Sequence, residues 1–273
     1  MTSRISIIIP LYNQVEYTSV CLERLAAVSP GGNFQLVLVD NASTDTTPAL
    51  CASMSGDVLV IRNEENLGFA RACNQGANVA TGEILLFLNN DTEPGENWLD
   101  PLLSVLDREP DVGAVGAKLL FPDGTLQHAG GVLVRNLRRS ETPLYGLHRY
   151  YRLPADHPEA NVRADVQFVT GAALAVRGRA FRAVGGFDER YWNGLEDVDL
   201  CLKLREDGWR VVYEPASCLV HHEGMSGPER RVRELKNIAR LADRWLDKVE
   251  PDIVVEADGS VSGDVWSAVV RRQ

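Results

Sequence analysis

The chain of 273 residues is long enough for one large α/β domain or two small ones. A content of 45% hydrophobic and 24% charged residues is typical of a globular protein that folds around a buried core. The formal net charge of −10 argues against nucleic acid as a partner, although a bound cation would still allow phosphate ligands.

The cysteines and the N-terminus favour a cytoplasmic location. The five cysteines are scattered and form no CxxC pair, which is typical of reduced, buried thiols. A strand pattern begins almost at once, so we expect no signal peptide. No apolar run reaches the roughly 18 residues that a membrane-spanning helix needs.

Strand and helix patterns alternate through the first 90 residues. Continuous apolar runs predict strands buried on both faces, and apolar residues at helical spacing predict the helices between them. Such an alternation predicts a parallel sheet with right-handed crossovers. No GxGxxG motif follows the first strand, so a dinucleotide site is poorly supported. The strands are predicted at 5–9, 34–39, 58–61 and 84–88, with helices at 15–28, from 47 and over 66–82.

The pattern changes after the predicted helix at 98–107 and strand at 112–120. From 121 to 163 no period persists, and arginines and tyrosines are interleaved. We interpret this segment as a mobile surface loop, with an acceptor-side lid as the alternative. Further on, a regular pattern returns at 166–176. We predict strands at 209–213 and 218–220, and helices at 178–184, from 195 to 207 and, with an amphipathic pattern, over 229–249.

Polar clusters lie at the ends of the predicted strands or beside them. In open α/β sheets, ligands bind at the carboxyl ends of the strands. Asp91 ends the fourth strand and could hold Mg²⁺ or Mn²⁺ beneath a diphosphate, since these cations prefer oxygen ligands. The alternative is a polar turn with no ligand. The clusters are Asp40, Asn89-Asn90-Asp91, Glu196-Asp197 and His221-His222.

Taken together, the motifs resemble those of glycosyltransferase family 2. The resemblance runs from Ile5 to about Ser226, and within the family it is greatest to rhamnosyltransferase-like members that build bacterial surface polysaccharides. The motifs are IIIPLYN (7–13), VDNASTD (39–45), NLGFA (66–70), FLNND (87–91), GGFDE (185–189), EDVDL (196–200) and HHEGMS (221–226).

The resemblance implies an α/β protein with the GT-A fold. Its central sheet would be Rossmann-like, mostly parallel and flanked by helices. A glycosyltransferase domain would span 1–227, with a nucleotide-sugar-binding half at 1–120 and an acceptor-binding and catalytic half at 121–227. A C-terminal amphipathic helix and tail would follow at 228–273.

The implied activity is an inverting, metal-dependent sugar transfer from a UDP- or dTDP-sugar to a hydroxyl acceptor. Asp40 would accept a hydrogen bond from the imide N–H of the base. Gly68 and Arg71 would lie near the diphosphate. The remaining donor-binding residues implied by the match are Pro10, Tyr12, Asn13, Asn41 and Asn90.

The resemblance also implies the metal ligands. Asn89 replaces the first acid of the family's Asp-x-Asp motif, which leaves Asp91 as the only anionic ligand there. His221 fits the His-x-x-Gly-x-Ser pattern better than His222 and would be the second ligand, as a neutral imidazole. The alternative is that the two histidines only end a strand.

Asp197 would be the general base that takes the proton from the acceptor hydroxyl. It lies in the first turn of its helix, where the helix dipole favours an anion. Asp199 projects to nearly the opposite side and is not an equivalent candidate. Acceptor and sugar contacts would come from Gly171, Ala172, Trp192 and Glu196, with the core as the alternative for Trp192.

The implied partners are a nucleotide-sugar donor and a glycan or lipid-linked glycan acceptor. A basic face on the C-terminal helix would suit peripheral contact with the inner membrane face, and a homodimer stays open. The alternatives to a glycosyltransferase are a sugar-phosphate nucleotidyltransferase and a non-catalytic nucleotide- or glycan-binding domain. The basic residues are Arg230, Arg231, Arg233, Lys236 and Arg240.

Overall fold

A computed structural model describes residues 4–28, 34–222 and 229–263. Its strands are β1 (Ile5–Leu11), β2 (Phe34–Asp40), β3 (Val58–Arg62), β4 (Ile84–Leu88), β5 (Thr92–Pro94), β6 (Val112–Leu120), β7 (Leu126–His128), β8 (Gly131–Asn136), β9 (Leu144–His148), β10 (Ala164–Asp165), β11 (Ala173–Arg177), β12 (Arg210–His221), β13 (Ile253–Val255) and β14 (Val261–Gly263). Its α-helices are α1 (Val15–Val28), α2 (Thr47–Ser53), α3 (Phe69–Val79), α4 (Leu99–Arg108), α5 (Gly178–Ala183), α6 (Glu196–Glu206) and α7 (Glu229–Trp245).

The first four strands form the parallel half of the main sheet, in the order β3-β2-β1-β4. Helices cover both faces of this sheet, and alternate residues of β1 therefore pack into two different cores. Ile8 lies in a core with residues of α3, whereas Ile7 and Ile9 lie in a core with residues of α1. The continuous apolar run of β1 therefore reflects burial on both sides, and the predicted alternation of strands and helices is confirmed.

The second half of the sheet is mixed. β11 runs antiparallel between β4 and β6, and β12 runs parallel to β6. The two strands predicted at 209–213 and 218–220 are one strand, β12, with an irregular register between Glu214 and Cys218. Within the regular stretch at 166–176, the strand β11 begins only at Ala173, because Gly171 and Ala172 form a turn.

Residues 121–163 are not the predicted mobile loop. β8 and β9 form an antiparallel hairpin, and β13 and β14 extend it into a four-stranded second sheet. Leu144, Tyr150 and Ala160 are buried in the main core. These strands have three to six residues each, which is too short for a hydrophobic period to identify them in the sequence.

The C-terminal helix packs against α6 and the turn that precedes it. Trp245 is buried, and its indole N–H donates to Asp199 on α6 at 2.8 Å. Asn237 donates to the carbonyls of Asn193 and Gly194, at 3.0 and 2.8 Å. α7 thus holds the turn that leads into α6. The boundary predicted between 227 and 228 lies outside the described residues, and the predicted division of the chain stays a prediction.

No helix in the described parts of the chain is long and apolar enough to cross a membrane.

The contact between Trp245 and Asp199 makes a testable contribution to stability. Burial raises the pKa of Asp199, so its carboxylate depends on the few donors that reach it. We expect Trp245→Phe to lower the free energy of unfolding by about 1–3 kcal/mol through the lost hydrogen bond, with a further loss from the cavity. Urea denaturation measures the change.

Trp209→Phe is the matched control. Its indole also donates to a carboxylate, Asp207 at 3.1 Å, but that carboxylate is exposed. Water can replace the lost donor there, so the change should be smaller. Equal losses for the two variants would contradict the role assigned to the buried bond.

Candidate active site

The carboxyl ends of β1, β2 and β4 border a first cavity. Five of the predicted donor-binding residues line it, namely Pro10, Tyr12, Asn41, Gly68 and Asn90. Asp91 and Trp192 line it as well. The remaining lining residues are Leu11, Gln14, Asn66, Phe69, Asn89 and Asn193.

The N-terminus of α3 forms one wall of this cavity. Gly68 precedes the helix with φ of 82°, and its N–H donates to Asn66 Oδ1 at 3.0 Å. Phe69 N–H donates to the carbonyl of Trp192 at 2.8 Å. A Cβ on Gly68 would lie 2.2 Å from that carbonyl oxygen. The partial positive charge at this helix end suits an anionic group such as a diphosphate.

Trp192 is part of the cavity wall. Its side chain is half-buried and packs against Gly68. The guanidinium of Arg233, on α7, lies 4.6 Å from its ring centroid. A cation over the indole face holds the ring in place. The alternative interpretation of Trp192 as a core residue is therefore not supported.

Three predicted donor-binding residues do not line the cavity. Asp40 is buried behind it: one oxygen accepts from Ser43 N–H at 2.8 Å, and the other pairs with Arg62. Asn13 accepts from the N–H of Thr44 at 2.7 Å and so holds the loop after β2. Arg71 is exposed, and its Nε lies 3.8 Å from Oε2 of Glu189. A base contact by Asp40 and a diphosphate contact by Arg71 stay predictions.

Asp91 and His221 meet at the edge of the sheet. β5 pairs with the end of β12 so that Thr92 lies opposite His221. This register brings Asp91 Oδ1 to 3.1 Å from His221 Nε2. Burial acts to raise the pKa of Asp91, but hydrogen bonding and charge attraction from His221 outweigh it and lower that pKa. The carboxylate is therefore the form present at neutral pH.

The tautomer of His221 is fixed by Gln127. Gln127 Nε2 donates to the backbone carbonyl of His221 at 3.3 Å, and its Oε1 lies 2.6 Å from Nδ1. Nδ1 therefore carries the proton. Nε2 lies 3.2 Å from Asn89 Nδ2 and 3.1 Å from Asp91 Oδ1. It donates to the carboxylate when the ring is protonated, and it offers a lone pair to a cation when the ring is neutral. Gln127 was not predicted, because β7 lies in the segment without a sequence period.

These residues fit a divalent cation. A carboxylate oxygen and an imidazole nitrogen lie 3.1 Å apart, and two ligands at right angles on an octahedral Mg²⁺ lie about 3.0 Å apart. Among the described residues, no three His, Cys, Asp or Glu side chains converge on one point. Within the described residues, Asp91 and His221 are thus the acidic and imidazole ligands on offer, and substrate and water would complete a metal's shell.

His222 lies on the other side of β12 and is engaged elsewhere. Its Nε2 lies 2.7 Å from Glu93 Oε1, and its ring packs against that of Tyr17 at 5.0 Å between centroids. Its backbone N–H donates to the carbonyl of Asp91. Of the two histidines, only His221 therefore offers a ring nitrogen to Asp91.

A second cavity adjoins the first, and Asn89, Asp91, Phe69 and Asn193 line both. The predicted residues Gly171, Ala172, Glu196, Asp197 and His221 line the second cavity. The other lining residues of the second cavity are Gln127, Gly146, His148, Phe168, Thr170, Gly194, Leu195 and Val198. Trp192, in contrast, lines only the first cavity.

The carboxylate of Asp197 is held by two backbone donors. Oδ2 accepts from Gly171 N–H and Oδ1 from Val198 N–H, both at 2.8 Å. Each oxygen keeps a further lone pair, so the group can still take a proton. Asp199, in contrast, is buried against α7, as its place on the opposite side of α6 predicts.

Comparison with known proteins identifies the family of this chain. Residues 6–182 match the family described as Glycosyl transferase family 2. The chain belongs to glycosyltransferase family 2. The expected resemblance is thus confirmed over most of the motif region, whereas Asp197 and His221 lie beyond the matched residues.

Two relatives within family 2 are similar over most of this chain. The O-antigen biosynthesis protein RfbC of Myxococcus xanthus is 35% identical over 90% of this chain, which spans only 19% of that protein. The N-acetylglucosaminyl-diphospho-decaprenol L-rhamnosyltransferase of Mycobacterium tuberculosis (strain CDC 1551 / Oshkosh) is 31% identical over 70% of this chain and 67% of its own length.

A solved structure confirms the predicted GT-A fold. The crystal structure of GalNAc-T7 with UDP, GalNAc and Mn²⁺ superposes with a TM-score of 0.70 at 18% identity. The superposition covers 89% of this family 2 chain and 49% of the other. The α/β architecture with a mostly parallel central sheet is therefore shared.

The contact of Gly68 with Trp192 is testable. We expect Gly68→Ala to lower the free energy of unfolding by several kcal/mol, because a Cβ both collides with Trp192 and occupies a left-handed backbone conformation. Gly56→Ala is the control: φ is also positive, at 96°, but nothing lies within 4 Å of the added Cβ. It should cost only about 1–2 kcal/mol. Equal losses in urea denaturation would contradict the close packing.

Proposed function

We propose that this chain is an inverting, metal-dependent glycosyltransferase that moves a sugar from a UDP- or dTDP-linked donor to a hydroxyl acceptor. The observation that carries the proposal is the pair of adjoining cavities. Asp91 lines both of them, and His221 and Asp197 line the second. One cavity would take the donor and the other the acceptor, with the reacting carbon between them.

The metal would be held by Asp91 and His221 together with the diphosphate of the donor. Mg²⁺ or Mn²⁺ would supply positive charge that stabilises the departing nucleoside diphosphate. Gln127 would keep His221 in the tautomer that binds a metal. The N-terminus of α3, at Gly68, would add a second favourable contact for the diphosphate.

Asp197 would act as the general base. An inverting transfer needs one carboxylate that removes the proton of the acceptor hydroxyl as its oxygen attacks the anomeric carbon. The N–H groups of Gly171 and Val198 fix the orientation of Asp197. Trp192 would bind the donor side, and Gly171, Ala172 and Glu196 the transferred sugar or the acceptor.

The relatives support a role in bacterial cell-surface polysaccharide or glycoconjugate synthesis. One is named for O-antigen biosynthesis and the other as a rhamnosyltransferase acting on a diphospho-decaprenol. A glycan or lipid-linked glycan is therefore the proposed acceptor. The UDP in the GalNAc-T7 structure supports a uridine nucleotide.

Peripheral membrane contact has less support than the activity. Arg233 packs over Trp192, and Arg240 donates to the carbonyl of Arg190 at 2.6 Å. These two members of the predicted basic face are thus partly used inside the protein. The side chains of Arg230 and Arg231 lie outside the described residues. The cytoplasmic location, the membrane contact and the homodimer stay predictions.

The two adjacent histidines give a sharp test of the metal site. We expect UDP with Mn²⁺ to raise the melting temperature of the wild type and of His222→Ala, but not of His221→Ala, since only His221 reaches Asp91. EDTA should remove the shift, because UDP would then lose the cation that joins its diphosphate to Asp91 and His221. Thermal-shift assays measure it. A shift that survives EDTA or His221→Ala would contradict the metal site.

The base is tested by Asp197→Asn. We expect this variant to bind the donor like the wild type but to lose sugar transfer by about 10²–10⁴-fold, because an amide cannot take the proton. Donor turnover and calorimetric donor binding measure the two effects. Asp207→Asn, at the other end of the same helix and exposed, should keep full activity. An active Asp197→Asn enzyme would rule out the base, and a fully inactive wild type that binds donor would favour a binding domain.

A further inference from the structure

Tyr151 is an exposed aromatic residue that has no role in the proposed reaction. It follows β9 and is 39% exposed. Its ring centroid lies 5.5 Å from that of Phe121 and 6.4 Å from that of His148. A single exposed tyrosine is ordinary on a protein surface, but the backbone around this one is not.

Tyr151 lies between two residues in the left-handed backbone region. Tyr150 has φ of 55° and Arg152 has φ of 65°. Residues other than glycine adopt such angles only at an energetic cost. Strain of this kind persists where the surrounding contacts hold it, and it is concentrated at sites that bind ligands.

Both strained residues are held by contacts on the inner side of the turn. Tyr150 is buried in the main core, and its ring stacks on that of His157 at 5.1 Å between centroids. The guanidinium of Arg152 lies 3.5 Å from the ring centroid of Phe121. Because Tyr150 points into the core, the turn directs Tyr151 outward.

Two neighbours place Tyr151 beside the second cavity. His148 lines that cavity. Phe121 directly follows β6, which runs parallel to β12 and ends opposite the residue before His221. This is the carboxyl-terminal edge of the sheet, where ligands of open α/β sheets bind. Tyr151 therefore adjoins the second cavity without lining it.

An exposed aromatic ring at this place suits a sugar ring. One face of a pyranose carries mainly C–H groups, which pack against the electron-rich face of an aromatic ring. The sugar ring with the attacking hydroxyl must reach Asp197 inside the second cavity. A sugar ring on Tyr151 would therefore be the neighbouring ring of the same acceptor.

We propose that Tyr151 forms a stacking subsite for a second sugar ring of the acceptor, beside the second cavity. The strained turn holds the aromatic ring in place for that contact. The inference rests on the proposed function, in which the second cavity takes the ring with the attacking hydroxyl. It adds the class of acceptor: a glycan of more than one sugar ring, free or linked to a lipid.

The subsite can be observed by ¹⁹F NMR spectroscopy of protein in which fluorotyrosine replaces the seven tyrosines. The signal that is lost in Tyr151→Phe identifies Tyr151. The probes are neutral methyl hexopyranosides and the methyl glycosides of disaccharides built from the same hexoses, each with UDP and Mg²⁺ present. We expect disaccharide glycosides to shift the Tyr151 signal and the monosaccharide glycosides to leave it unchanged. No shift with any disaccharide, or an equal shift with the monosaccharides, would overturn the proposal.

Variants separate stacking from a hydrogen bond of the phenol group. For the disaccharide glycoside that gives the largest shift, Tyr151→Ala should weaken binding about 10-fold, the effect of one lost stacking contact. Tyr151→Phe keeps the aromatic face and should weaken binding less than about 2-fold. The control is Leu137→Ala, which removes an exposed side chain that follows β8 outside the cavity and should change nothing.

Equal losses for the Ala and Phe variants would contradict stacking. Binding of UDP and Mg²⁺ should be unchanged in all of these variants. Failure of the wild type to bind UDP in the same samples would count against the proposed function, separately from Tyr151.

Discussion

The antiparallel pairing of β5 with the end of β12 is the contact on which the candidate active site depends. It joins chain segments that are distant in sequence and sets Thr92 opposite His221. The same register places Asp91 against His221 and turns His222 toward Glu93. Because side chains alternate along a strand, a shift of one residue would exchange the two histidines and remove the nitrogen that faces Asp91.

The rest of the site is held by parts of the chain outside the familiar motifs. Gln127 of β7 fixes His221, and Asn237 of α7 holds the turn between Trp192 and α6. These are polar side chains paired in buried or half-buried places, where an unmade hydrogen bond is costly. The C-terminal helix is therefore part of the support of the site, although the family match ends at residue 182.

The sequence predicts the parallel half of the sheet well, because a strand buried on both faces is continuously apolar. It also places Asp91 and His221 in one site through the motifs that resemble the family. It does not predict the partners of these residues. The pairing of Asp40 with Arg62 depends on two strands lying side by side, and the pairing of His128 with His148 depends on short strands without a period. The hydrophobic period of a segment indicates which of its residues are buried, whereas such contacts depend on the register between distant segments.

The central claim is that Asp91 and His221 hold a divalent cation together with the donor diphosphate. Pulsed electron paramagnetic resonance of Mn²⁺ with UDP and the protein tests it most directly, because it detects nitrogen bound to the metal. We predict coupling to one histidine nitrogen in the wild type and in His222→Ala, and none in His221→Ala. Absence of nitrogen coupling in the wild-type complex with UDP and Mn²⁺, or its persistence in His221→Ala, would contradict the account.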